Sequence, residues 1–291
     1  MIERIAKEAL LRLASQFPVV GVTGPRQSGK STLTKATFPH KRYVTFDDRT
    51  MRSLAASNPQ DFIAAFPEGA IIDEAQKVPE IFDAIKYSVD NTQTAPGKFI
   101  VTGSSQFRLR ENMTDSMARD VGVSAPTIKT WLSILETSFI IHFLEPDTNN
   151  LGKNIVKTPK LYFADSGLLC HMLRLETKEE LLLSRYKGAV AETFAITELL
   201  KQRLNQGKKA NLTFFRDDRG FEVDTIADWK HTYAIEIKSA NAPEHKLAAN
   251  TKKYLALRQD ENARNAIFYL GDMSMNINGT SYVSWKDWGD L

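Results

Sequence analysis

The chain has 291 residues, 42% hydrophobic and 25% charged, which is enough to bury a substantial core and by length suggests two domains. A formal net charge of +3 permits a nucleic-acid partner without demanding one, and no apolar run approaches the length of a membrane span. The single cysteine, Cys170, excludes an internal disulfide framework and points to a cytoplasmic location.

The chain opens on an amphipathic helix, 1–13, whose mixed charge is unlike a signal peptide. A β-branched strand, 18–24, runs into Gly24, Pro25, Arg26, Gln27, Ser28, Gly29, Lys30, Ser31 and Thr32, with a short helix expected over 31–37. This is the full spacing of a Walker A loop in its required strand-to-helix setting. Its glycines let the backbone curl so that N–H groups face phosphate oxygens, and the helix start adds the positive end of its dipole. Lys30 is placed to reach the β- and γ-phosphates, and the Ser31 hydroxyl to take one position on Mg²⁺. These nine residues are the candidate ATP site.

A second strand is expected over 42–48, then helix from Asp48 to Phe66 with Pro59 opening a second helix. The apolar strand 69–75 ends in Asp73 and Glu74, the Walker B pattern. Asp73 is the candidate Mg²⁺ ligand, acting through water beside Ser31, and Glu74 the candidate group that orients or deprotonates the attacking water. The strand 98–105 ends in small polar residues, of which Ser104 is the first candidate for sensing the γ-phosphate, with Thr102 and Ser105 close behind. Four strands alternating with helices imply an α/β fold, a parallel sheet covered on both faces.

Residues 19–118 resemble the ATPase domain of a large prokaryotic group of the AAA superfamily. The likeness is carried by Pro25–Ser28 in the loop, by Ile71–Gln76 and by Phe99–Ser105. The remaining chain resembles the uncharacterised C-terminal domain that usually follows in that family. The resemblance implies an ATPase using ATP and Mg²⁺. Relatives carry a further strand and a helical region after the sensor strand, whereas only twenty-one residues lie between Ser105 and Thr127 here. The run 112–121 reads as two family segments joined directly, an internal deletion near residue 118. Arginines that contact the γ-phosphate would be among the lost groups, and Arg108 and Arg110 are the nearby candidates. The sequence therefore argues for ATP binding more strongly than for hydrolysis.

In the middle, 115–121 and 126–135 read as two helices about a turn at 122–124, with 138–144 and 160–164 as strands of a wing, a winged-helix-like segment. A DNA-binding reading would turn Thr127, Lys129 and Thr130 towards a groove. That helix is poor in the Arg, Asn and Gln of recognition helices, so the plainer reading, a protein-docking module, leads.

The last part changes character. A helix from Gly188 carries Glu192, and strands follow at 212–216, 221–227 and 233–239. Alternation puts Glu222 with Asp224 on one face, and Glu236 with Lys238. Glu192, Asp224, Glu236 and Lys238 together resemble the metal-dependent restriction-endonuclease-like fold, with Glu198 as an alternative to Glu192. In that chemistry two carboxylates hold Mg²⁺ and the lysine positions or activates water. The competing reading is a solvated sheet face, or a fold kept without its chemistry. A basic helix over 243–260, with Lys246, Lys252, Lys253 and Arg258, suits nucleic-acid phosphates or solvent equally. A buried strand is expected over 266–271, and Trp285 and Trp288 at a core edge. The histidines and Cys170 show no metal-ligand spacing.

The expected organisation is a truncated AAA-type ATP-binding domain (1–118), a winged-helix-like segment (119–185) and a smaller α/β restriction-endonuclease-like domain (186–291). The expected function is Mg-ATP binding that switches a C-terminal domain acting on DNA, RNA or a protein partner, with no membrane association. The alternatives are a metal-dependent nuclease with a regulatory or vestigial ATP site, and a non-catalytic interaction module.

Overall fold

A computed structural model describes residues 4–25, 27–91, 95–103, 117, 121–148, 155–243, 245–260 and 262–288. The chain divides into two compact units, each built on its own sheet.

The first unit runs through α1 (Ala6–Ala14), β1 (Val19–Thr23), α2 (Lys30–Thr37), β2 (Arg42–Thr45), α3 (Arg49–Ser57), α4 (Pro59–Ala64), β3 (Ala70–Asp73), α5 (Glu80–Asp90) and β4 (Phe99–Gly103). Its four strands are parallel in the order β1-β4-β3-β2. The two inner strands are continuous apolar runs because helices cover both faces, and Ala70, Ile71, Ile72, Phe99 and Ile100 are fully buried. Ile72 and Phe99 pack with Phe62 and Ile85 of α4 and α5, while Ile71 and Ile100 pack with Leu10 of α1 and Val20. Local chemistry sets the helix starts. The Asp48 carboxylate accepts from the N–H groups of Thr50 and Met51, and Asn58 caps α4 with Pro59 in its first turn. β3 can enter beside β4 only through a glycine. Gly69 sits at φ +78°, and a Cβ there would lie 1.8 Å from the Lys98 carbonyl oxygen.

The chain continues through α6 (Ala125–Thr137), β5 (Ile141–Pro146), β6 (Lys160–Phe163), α7 (Ser166–Met172), α8 (Lys178–Leu183), α9 (Lys187–Asn205), β7 (Leu212–Arg216), β8 (Glu222–Asp228), β9 (Thr232–Lys238), α10 (Ala249–Arg258), β10 (Arg264–Tyr269), β11 (Met275–Ile277) and β12 (Thr280–Ser284). The eight strands form one mixed sheet in the order β11-β12-β10-β9-β8-β7-β5-β6. α9 lays Ala195, Ile196 and Leu199 on one face against Phe214, Ile235, Phe268 and Trp288. α10 covers the other with Tyr254 against Phe215, Val223 and Ala234.

Three sequence expectations change here. The two strands expected as a wing pair with each other, and β5 then pairs in parallel with β7, so they form the edge of the eight-stranded sheet. The reason is burial: Leu144 and Tyr162 lie in the same core as α9. Of the basic helix, Arg258 turns inward, its guanidinium 2.8 Å from Asp228 and 3.1 Å from the Tyr254 hydroxyl. Trp288 is buried and stacks on Phe268, whereas Trp285 is exposed. The helix expected over 115–121 and the junction near residue 118 lie outside the described residues, save 117 and 121.

Candidate functional site

The loop after β1 turns through two left-handed residues, Gln27 at φ +58° and Gly29 at φ +77°, before α2 begins at Lys30. A glycine takes that conformation freely and a glutamine only under strain, so the loop shape is imposed by its surroundings. Lys30 is buried, and its ammonium donates to the carbonyls of Gly24 at 2.9 Å and Pro25 at 2.6 Å. Arg4 donates to the Ser28 carbonyl at 2.6 Å. Arg26 lies outside the described residues.

The end of β3 brings Asp73 to the start of α2. Its carboxylate accepts from the Ser31 hydroxyl at 2.9 and 3.0 Å, from the Tyr43 hydroxyl at 2.6 Å and from the Thr102 hydroxyl. Burial pushes the Asp73 carboxyl up, but the three hydroxyls and the Lys30 charge outweigh it and hold the group below its ordinary value. The Tyr43 phenol moves the other way, to about 12, through burial and the carboxylate it serves. Glu74 is left-handed at φ +56°; its N–H donates to the Thr102 oxygen at 3.4 Å and its carboxylate accepts from Gln76 at 2.5 Å. Ser104, Arg108 and Arg110 lie outside the described residues. A hydroxyl and a carboxylate side by side beside a lysine are a donor set that fits Mg²⁺, a hard cation that takes oxygen ligands.

A second cluster forms at one end of β8 and β9. A register shift between Thr213 and Phe215 in the β7–β8 pairing sets two residues of β8 against one of β7. The β8–β9 pairs run from Asp228↔Thr232 to Thr225↔Ile235, and beyond them the Asp224 carboxylate accepts the Ile237 N–H at 2.8 Å. Glu192 of α9, Asp224 of β8, and Glu236 and Lys238 of β9 all reach this cluster. Lys238 pairs with Glu236 at 2.6 Å and lies 4.0 Å from Asp224. Lys160 of β6 lies 3.0 Å from Glu192, 2.5 Å from Glu222 and 4.0 Å from Asp224. The Tyr162 hydroxyl donates to Glu192 at 2.6 Å. Burial, reinforced by the charges of Glu236 and Glu192, raises the Asp224 carboxyl to about 7. Burial also raises Glu236, against the pull of Lys238. Burial alone would lower Lys160 and Lys238, but the surrounding carboxylates raise both. One oxygen of Glu236 is buried with no hydrogen-bond partner among the described residues. One open acceptor is not a coordination shell, and no three acidic, histidine or cysteine side chains among the described residues are arranged to hold a metal ion. As arranged, this cluster does not fit a divalent ion.

Sequence reasoning missed Arg4, Tyr43, Lys160 and Tyr162, and gave Glu222 no role. Alternation on β2 offered a signal for Tyr43, and the lone lysine opening β6 one for Lys160. Neither says which strand lies alongside.

Residues 16–126 match an AAA domain, 102–179 a domain of unknown function (DUF8612), and 187–288 a second domain of unknown function (DUF4143). The chain thus matches an AAA domain followed by a domain of unknown function (DUF4143), the order that the resemblance led one to expect. The uncharacterized proteins Mb2031c of Mycobacterium bovis and Rv2008c of Mycobacterium tuberculosis are similar to this chain, each 23% identical over 374 residues. Those alignments cover 96% of this chain and 83% of each relative. No solved structure matches the chain. Among the described residues no helix is long and apolar enough to cross a membrane.

Proposed function

We propose that the protein binds Mg-ATP through the loop Gly24–Thr32, and that nucleotide occupancy biases the arrangement of its C-terminal region, with slow or absent turnover. One observation carries this reading: Ser31 and Asp73, 42 positions apart, meet at 2.9 Å beside the buried Lys30. Ser31 and Asp73 would hold Mg²⁺ there, which would supply charge to offset that of the phosphates. Lys30 exchanges the loop carbonyls for β- and γ-phosphate oxygens. Tyr43 and Thr102 keep the Asp73 carboxylate ionised and oriented. Gln76 holds the Glu74 carboxylate, the group that would orient an attacking water.

Weak turnover is supported by the space beside β1. Among the described residues β1 is an edge strand, and a cavity of about 420 Å³ lined by Thr23, Phe82, Ile85 and Thr102 opens beside it. A further strand and helix would pack there. The alignments with the mycobacterial proteins run over 374 residues, more than the 291 of this chain, which supports the loss of an internal segment.

The experiment is a Mg-ATP titration that follows melting temperature and phosphate release together. Nucleotide at about 100 times its Kd should stabilise the wild type by about 2.7 kcal/mol. Lys30→Ala should abolish the shift; an equal shift in that variant would sink the site assignment. Fast phosphate release would make the protein an ATPase with its own sufficient arginine.

A second reading, a metal-dependent nuclease with a regulatory or vestigial ATP site, rests on the convergence of Glu192, Asp224, Glu236 and Lys238 on one cluster. It requires a divalent ion among those carboxylates, which Lys160 and Lys238 would have to vacate first.

A further inference from the structure

A divalent ion holds carboxylates by lying between their oxygens. In the C-terminal cluster two ammonium groups stand beside Asp224. Lys238 binds Glu236 at 2.6 Å and lies 4.0 Å from Asp224. Lys160 binds Glu192 at 3.0 Å and Glu222 at 2.5 Å, and lies 4.0 Å from Asp224. The remaining oxygen of Glu222 faces the Arg216 guanidinium at 3.3 Å. Four carboxyl groups thus meet three cations, and the local charge that would draw in a divalent ion is largely cancelled.

The two lysines differ in origin. Lys238 belongs to the Glu-x-Lys pattern on β9. Lys160 comes from β6, the strand at the end of the sheet order, and no part of that pattern calls for it. Its side chain is only 19% exposed, and Tyr162, on the same face of β6, fixes the Glu192 carboxylate that receives it. A lysine carries three donors and no acceptor, so three surrounding carboxylates are the partners that make its burial tolerable.

We propose that Lys160 is the resident cation of this cluster: its ammonium takes the position between Glu192 and Asp224 that a divalent ion would need, and excludes one. The cluster is then complete as a side-chain ion network, and between Glu192 and Asp224 the exclusion is the property of one residue. Deleting the ammonium frees Glu192 and Asp224 to turn onto a common ion, and should make the same place a divalent-cation site.

The test is calorimetric titration of the full chain with Mn²⁺ alone, without nucleotide, in wild type, Asp224→Asn, Lys160→Met and the double variant. Wild type and Asp224→Asn should give the same Mn²⁺ binding. Lys160→Met should gain one equivalent, which Asp224→Asn then removes. Wild-type Mn²⁺ binding that Asp224→Asn abolishes would overturn the proposal, as would a folded Lys160→Met that gains no site. Should Lys160→Met fail to fold by circular dichroism, Lys160→Gln, which keeps a donor without the charge, takes its place under the same two criteria. The Mg-ATP melting shift, read on the same samples, reports separately on the nucleotide site.

Discussion

Two aspartates, Asp73 buried and Asp224 partly so, show how residue chemistry diverges with surroundings. Asp73 is met by three hydroxyls and a lysine, and its carboxyl is held below the ordinary value. Asp224 is met by burial and by the charges of Glu236 and Glu192, and rises to about 7 from 3.8. The signs for stability are opposite. Asp73 binds its proton less readily when folded, so its contribution is present above the unfolded pKa and is lost as pH falls through the folded one. Asp224 binds its proton more readily when folded, so its contribution is full below about pH 4 and is lost as pH rises towards 7. Asp224→Asn, which keeps the shape of the neutral acid and cannot ionise, should therefore lose little at pH 5. It should gain on the wild type by up to about 1.4 kcal/mol per pH unit across the window up to pH 7. Urea denaturation of both proteins across that range measures it; parallel pH profiles would mean that Asp224 stays ionised throughout.

Elements were legible where a local signal fixes them. β1, β3 and β4 are apolar runs closed by loop motifs, and α3 and α4 announce themselves through Asp48 and Asn58-Pro59. What was not legible is pairing. Alternation located β5 and β6 and could not say that β5 lies beside β7, because a strand's partner depends on residues such as Leu144 and Tyr162 sharing a core with α9, a helix that comes well after them in the chain. The same limit hid Lys160, which meets Asp224 across 64 positions. Gly69 is a further case. Its role at the entry to β3 becomes apparent only once the Lys98 carbonyl is in place. Gly69→Ala adds left-handed strain to a backbone clash, and should cost about 3 kcal/mol or more. Chemical denaturation monitored on the first unit would show it, and a loss below about 1 kcal/mol would mean that β3 and β4 separate easily to admit a side chain.

At the scale of the whole molecule, each unit has its own sheet and its own apolar core, so a nucleotide on the first has no automatic effect on the second. A ligand shifts an equilibrium only by its differential affinity for the two states, and coupling between distinct sites is typically about 1–3 kcal/mol. The switch reading therefore makes a demand that binding alone does not. Hydrogen exchange with and without Mg-ATP can meet it. Nucleotide should slow exchange around residues 24–32 and 70–77, where it takes up the loop and the end of β3. It should also change protection within residues 187–288, by about 5- to 150-fold for coupling of that size. Lys30→Ala should erase both effects. If protection changes only in the first unit, the protein binds nucleotide without relaying it, and the C-terminal domain answers to a different ligand. If both regions respond and Lys30→Ala removes only the first, the C-terminal effect comes from free Mg²⁺ or ATP meeting that domain directly.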